Sequence, residues 1–207
     1  MTEDAEREQL SRAGQEQPPR EGTTSHDPDF PEKFLEFMRT GWRDSALDTS
    51  PRPELPHYAK RRAQLSAAFP GETLVVPTGP EKTRVNDTNY LFRPGSNFVW
   101  LTGEHDPDSV LVMRPTAAGH DATLYVRPRS PRDTDEFFTD RAYGELWIGR
   151  RHTLVEKADE LGVQVAALDE LERALGDCAP ARTRVLRGID PTTDSRVRPY
   201  DADGARD

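Results

Sequence analysis

Three short apolar runs stand close together in the middle of the chain, at 97–102 (Asn-Phe-Val-Trp-Leu-Thr), 110–113 (Val-Leu-Val-Met) and 122–126 (Ala-Thr-Leu-Tyr-Val). Turn-forming residues separate them at 103–109 and 115–121. Runs rich in valine and aromatic residues, punctuated in this way, predict strands joined in sequence, so the stretch is expected to form an antiparallel meander. Before it lie a helix predicted from about Tyr58 to Phe69, stopped by Pro70-Gly71, and a strand at 73–77. After Pro128 the period changes: helices are expected over 133–140, 152–161 and 169–175, and strands over 163–166 and 183–186. Strands followed by helix–strand alternation place the chain in the α/β class, with a mixed β-sheet and flanking helices.

The chain has 207 residues, enough for one ordinary domain. Its apolar residues are unevenly spread. Residues 1–29 hold eight acids, three bases and four apolar residues (Met1, Ala5, Leu10 and Ala13), a composition that cannot offset its ordering entropy and predicts a disordered acidic tail. Phe30, Phe34, Phe37 and Met38 recur at helical spacing, so 30–56 is expected to be a short amphipathic helix followed by a linker with Pro51, Pro53 and Pro56. Residues 188–207 are again polar and read as a linker. Between the ends, 30–186 reaches about 45% apolar residues and glycine, a normal globular proportion.

The net charge of −9 opposes binding to nucleic acid or to an anionic membrane, because either surface would repel the summed field of the chain. No apolar run reaches the roughly 18 residues of a membrane span. The single cysteine, Cys178, excludes an internal disulfide and fits a reducing compartment, so a cytoplasmic location is expected; no low-pKa setting is visible around it, and an inert thiol is the favoured reading.

Most signatures of chemistry are missing. Glycine never precedes lysine, which removes a phosphate-binding loop; no histidine is followed by glutamate, which removes the zinc-protease helix; and no Gly-x-Ser-x-Gly elbow exists. His105-Asp106-Pro107-Asp108 and His120-Asp121 are the acid–histidine turns that offer metal-ligand residue types. Successive meander connections lie at opposite sheet edges, so these two are expected a strand length apart, as solvated turns. The carboxylates Asp133, Asp135 and Glu136, and likewise Glu170 and Glu172, read as solvated helix faces.

Two clusters are less ordinary. Residues 88–103 pack four aromatics and Arg93 into sixteen positions, which reads as a core strand with its entry turn ahead of a binding site. Residues 145–151 (Glu-Leu-Trp-Ile-Gly-Arg-Arg) place Trp147 in a predicted loop, either as an apolar anchor at an interface or as a ring tucked onto its own domain.

The run Tyr90-x-Phe-Arg-x-x-Ser-x-Phe-x-x-Leu-Thr-Gly103, then Glu104-x-x-x-x-Ser-Val-Leu-Val, then Glu145-Leu-Trp-Ile-Gly-Arg-Arg151 resembles the N-terminal domain of Xaa-Pro aminopeptidases, the aminopeptidase P family. Arg61-Arg62-x-x-Leu65 ahead of the first strand agrees, and the similarity spans about 57–187. The resemblance implies a creatinase/aminopeptidase P N-terminal-domain-like fold followed by a larger pita-bread catalytic domain. There, two aspartates, a histidine and two glutamates bind two divalent metal ions, typically manganese, and a bridging hydroxide attacks the bond preceding proline.

All five of those ligands are expected beyond Asp207, so the chain is expected to be inactive alone, with no catalytic or metal residue of its own. Proline-containing peptides are the implied partners, and a homo-oligomer, dimer or tetramer, is implied for the full-length enzyme. Trp147 matches the family tryptophan that reaches into a neighbouring subunit's substrate cleft, so the resemblance makes it the substrate-binding residue. Arg150 and Arg151 inherit structural or interface roles only. Two alternatives share the fold: a non-catalytic peptide-binding or oligomerisation module, and the N-terminal part of a prolidase- or creatinase-type hydrolase.

Overall fold

The computed structural model describes residues 30–43, 46–86, 88–178 and 182–197. The expectation of disorder over 1–29 lies outside them. The chain divides into two compact units, one through Thr40 and one from Gly41. In the first, α1 (Glu32–Arg39) follows Pro31 and matches the amphipathic helix read from its aromatic spacing. Phe30 precedes the helix and stacks on Phe34, with ring centroids 5.4 Å apart.

The second unit opens with α2 (Leu55–Ala68). The linker reading of Pro56 needs correction, because this proline sits in the first helical turn, where the missing N–H costs no hydrogen bond. The chain ahead of α2 is also pinned. Arg52 donates through Nε to Glu160 at 2.8 Å and through its guanidinium to the Gly103 carbonyl oxygen.

Five strands form one mixed sheet in the order β6-β5-β4-β1-β7: β1 (Thr73–Pro77), β4 (Val110–Thr116), β5 (Gly119–Val126), β6 (Gln164–Ala167) and β7 (Thr183–Val185). The β1–β4 and β4–β5 pairs are antiparallel, whereas β1–β7 and β5–β6 are parallel. A separate ribbon pairs β2 (Thr83–Val85) with β3 (Thr88–Asn89).

Both faces of the sheet are covered. Leu74, Val76, Leu111, Met113, Leu124 and Val126 point to one face, beneath Leu65 and Phe69 of the α2 region, Phe98 and Leu101, and Leu161 of α6 (Leu154–Leu161). Val75, Val110, Val112, Tyr125 and Val185 point to the other, beneath Leu171, Ala174 and Leu175 of α7 (Leu171–Gly176). Burial on two sides explains why β1 is buried at every position and why the strands read as continuous apolar runs.

The predicted meander holds only for its second and third runs. Residues expected as its first strand form α3 (Ser96–Thr102), which buries Phe98, Leu101 and Thr102 at helical spacing and leaves Trp100 exposed. A run of four consecutive apolar residues satisfies either period, and its β-rich composition favoured the wrong one. Gly103 ends α3 in the left-handed region at φ 72°, where a Cβ would stand 2.5 Å from the Tyr58 ring.

The helix expected over 133–140 shrinks to α4 (Glu136–Thr139). Within the expected polar linker, α8 (Pro191–Arg196) is an ordered helix. Asp190 caps it by accepting from Thr192 N at 2.9 Å and Thr193 N at 3.2 Å, and Pro191 takes the first position. Asp190-Pro191 is a helix-start pair that lies among residues of low apolar content.

Candidate functional site

The segment after β5 builds the surroundings of Trp147 from short pieces. Asp140 Oδ1 accepts from the backbone N–H groups of Ala142 and Tyr143, each at 2.9 Å, and turns the chain back towards α4. At Gly144 any Cβ would collide with the carbonyl oxygens of Asp140 and Glu136, so only glycine fits. The chain then enters α5 (Glu145–Ile148), a helical turn where a loop was expected.

Trp147 Nε1–H donates to the Phe138 carbonyl oxygen at 2.9 Å, and the guanidinium of Arg141 lies 5.9 Å from the ring. Its indole nevertheless remains 45% exposed, beside an exposed Ile148. The two readings of this residue therefore describe different ends of one side chain. Its polar end is tied to the domain and its apolar ring is presented outward.

Beneath it Glu145 is buried, and Arg129 neutralises it in a two-point contact: Nε to Oε1 at 2.9 Å and Nη2 to Oε2 at 2.8 Å. Ser130 Oγ accepts from Glu145 N at 3.2 Å and from Arg151 Nη2 at 3.4 Å. Arg150 donates to Glu156 at 2.7 Å. Glu156 also closes a capping box with Thr153 at the start of α6, and its carboxyl is held down at about 2, first by the backbone hydrogen bond from Thr153 and then by Arg150. The two arginines thus tie the end of the tryptophan turn to Glu156 and to Ser130. Glu145 as the buried hub went unseen, because nothing local in the sequence marks Arg129 as its partner.

The loop that follows α3 carries a second buried charge. Glu104 accepts from His105 N at 2.6 Å and Asp106 N at 2.9 Å, and Lys157 of α6 donates to it at 2.9 Å and to Asp106. Burial works against the Glu104 carboxylate, but Lys157 and the two backbone donors outweigh it and hold the group below its ordinary range. Asp108 is engaged as well: Tyr143 donates its hydroxyl to it, and Arg127 lies 3.6 Å away while covering the Tyr143 ring at 3.9 Å. Burial, then the bond to Asp108, pushes the Tyr143 phenol well above its ordinary value.

His120 and Asp121 stand at the far end of β4 and β5, where Pro115 and Arg114 oppose them, whereas Asp108 precedes the Val110 end. The expected separation of the two acid–histidine stretches is therefore observed, although His120 and Asp121 belong to a strand and not to a turn.

Residues 58–186 match the family model described as the aminopeptidase P N-terminal domain. The chain belongs to this family. It is 45% identical over 164 residues to Xaa-Pro aminopeptidase 1 of Streptomyces coelicolor, covering 79% of this chain and 33% of that enzyme. Xaa-Pro aminopeptidase 2 of the same organism is also 45% identical, over 163 residues, with 78% and 34% covered. Among solved structures, proline aminopeptidase P II from Yersinia pestis aligns with a TM-score of 0.54 at 26% identity, covering 69% of this chain and 31% of that one. The chain thus spans about a third of the length of the curated relatives it matches.

In this aminopeptidase P N-terminal domain no three His, Cys, Asp or Glu side chains converge to hold a metal ion among the described residues. The carboxylates of the motif loop are already engaged, Glu104 and Asp106 by Lys157, and Asp108 by Arg127 and Tyr143. The residues present therefore do not fit the family's metal pair, and no catalytic step follows from them. No described helix is long and apolar enough to cross a membrane.

Proposed function

We propose that this chain is the assembly and substrate-cleft part of a metal-dependent Xaa-Pro aminopeptidase, a hydrolase that removes an N-terminal residue preceding proline. A further domain would supply the two metal ions, manganese in the first instance, and the chemistry. The observation that carries this reading is the near-complete match of the domain to relatives named for that activity, at 45% identity but over only a third of their length. Proline-containing peptides are the proposed substrates, a homo-oligomer the proposed assembly, and the cytoplasm the proposed compartment, with the single free cysteine in support.

The pure 207-residue chain, supplied with manganese and a Gly-Pro-type peptide, is expected to release no N-terminal residue above the blank. Cleavage that disappears with chelator would overturn the assignment of chemistry to another domain.

Trp147 is the proposed cleft residue. An exposed ring held by its own N–H can cover a small peptide without paying further ordering entropy. In a full-length enzyme carrying this domain, Trp147→Ala is expected to lower kcat/KM about tenfold, the equivalent of roughly 1.4 kcal/mol. Metal content and the circular dichroism spectrum should not change. Unaltered kinetics would remove Trp147 from the cleft.

A further inference from the structure

His120 is held in one tautomer by its neighbours. Its Nε2 lies 2.6 Å from the Glu72 carbonyl oxygen, an atom that can only accept, so the ring proton resides on Nε2. The Nδ1 lone pair is left to face Ser66 Oγ at 2.8 Å, and the serine hydroxyl donates to it. A hydroxyl bonded to an imidazole, itself oriented by a third group, is the arrangement of an activated serine nucleophile, with a backbone carbonyl in the orienting position.

The surroundings leave room for a small substrate. Both side chains line an open groove between α2 and the β4–β5 turn, walled by Ala59, Ala63, Ala67, Ala117 and Ala118. Arg62 lines the same groove one helical turn before Ser66, and its guanidinium donates to the Leu101 carbonyl oxygen at 2.8 Å. The groove stands at the hairpin end of the sheet, and nothing in the aminopeptidase reading uses it.

We propose that Ser66 and His120 form a nucleophilic dyad that accepts an acyl group from small esters. Ser66 Oγ bonds to the acyl carbon while its proton passes to His120 Nδ1. The bond from that carbon to the leaving alkoxide breaks, and the alkoxide takes the proton from Nδ1. Water, giving its proton to the same nitrogen, then hydrolyses the ester on Ser66 and restores the hydroxyl.

The test uses the 207-residue chain with p-nitrophenyl acetate in the presence of a chelator, which excludes any metallopeptidase contribution. Acetylation is followed by intact mass and located by tryptic mapping of the peptide 63–82. One acetyl group on Ser66 is expected. Ser66→Ala, which removes a single hydroxyl and keeps a good helix former, should slow p-nitrophenolate release by about 100-fold or more, within the range of general-base catalysis. His120→Ala should show the same loss, partly reversed by added imidazole. Acetyl found only on lysines or other residues, or release equal in wild type and Ser66→Ala, would overturn the dyad and leave the contact as a strut between α2 and β5.

Discussion

Phe98→Ala is expected to destabilise the domain by about 3–5 kcal/mol, read from the midpoint of urea unfolding at unchanged slope. The side chain is fully buried. It is the wedge by which α3 enters the core, among Leu74, Val76, Leu111, Met113 and Leu124 from three adjacent strands and Leu161 from α6. Truncation removes apolar surface from that cluster and leaves a cavity that rigid strands on one side cannot fill. Trp100, two residues on in the same helix, gives the contrast, since its ring is exposed beneath the Arg61 guanidinium at 3.5 Å. Trp100→Ala should therefore cost well under half as much. Equal losses at the two positions would mean that the burial face of α3 is wrongly assigned.

Lys157→Met is expected to cost a similar amount, about 3–5 kcal/mol, for a different reason. It removes the only cation described at Glu104 and leaves a buried carboxylate bound to two backbone N–H groups. The double variant Glu104→Gln/Lys157→Met should recover part of the loss, because an amide keeps the acceptor oxygen without the charge. Recovery in the double variant is what separates an unpaired buried charge from a simple packing defect.

The pH dependence has a definite sign at both ends. Glu104 titrates below its unfolded value of 4.5, so its contribution is present above that pH and is lost as pH falls through the depressed folded value. Lys157 is held above 10.5 because the two carboxylates outweigh its burial; its contribution is present below that pH and is lost as pH rises through the raised value. Wild-type unfolding midpoints should fall at both extremes more steeply than those of the double variant.

The sheet was largely legible in the sequence because burial on both faces writes strands as continuous apolar runs. Strands β1 and β4–β7 therefore stand close to their expected places. The same property hid α3, since an unbroken apolar run carries no period from which to tell a helix from a strand. The start of α8 was written in Asp190-Pro191 but lay among residues too polar to suggest burial, although Thr193 and Val197 are buried there.

For the candidate site, the motif at 145–151 singled out Trp147, Arg150 and Arg151 as residues to inspect. It could not show that the indole N–H is spent on Phe138 or that Glu145 is a buried hub. Each of those facts depends on a partner nine to sixteen residues away across a turn.

What the sequence determined by itself, then, was the α/β class, the mixed sheet and the family. These follow from apolar periodicity and from ordered motifs, both of which survive without knowledge of contacts. Tertiary structure decided which polar groups meet: Lys157 with Glu104 across 53 positions, Arg129 with Glu145, and Ser66 with His120 across 54. The physical reason is that the cost of a buried polar group is set by the groups folded against it. No window of neighbouring residues contains those groups, so the sheet could be read along the chain while its polar interior could not.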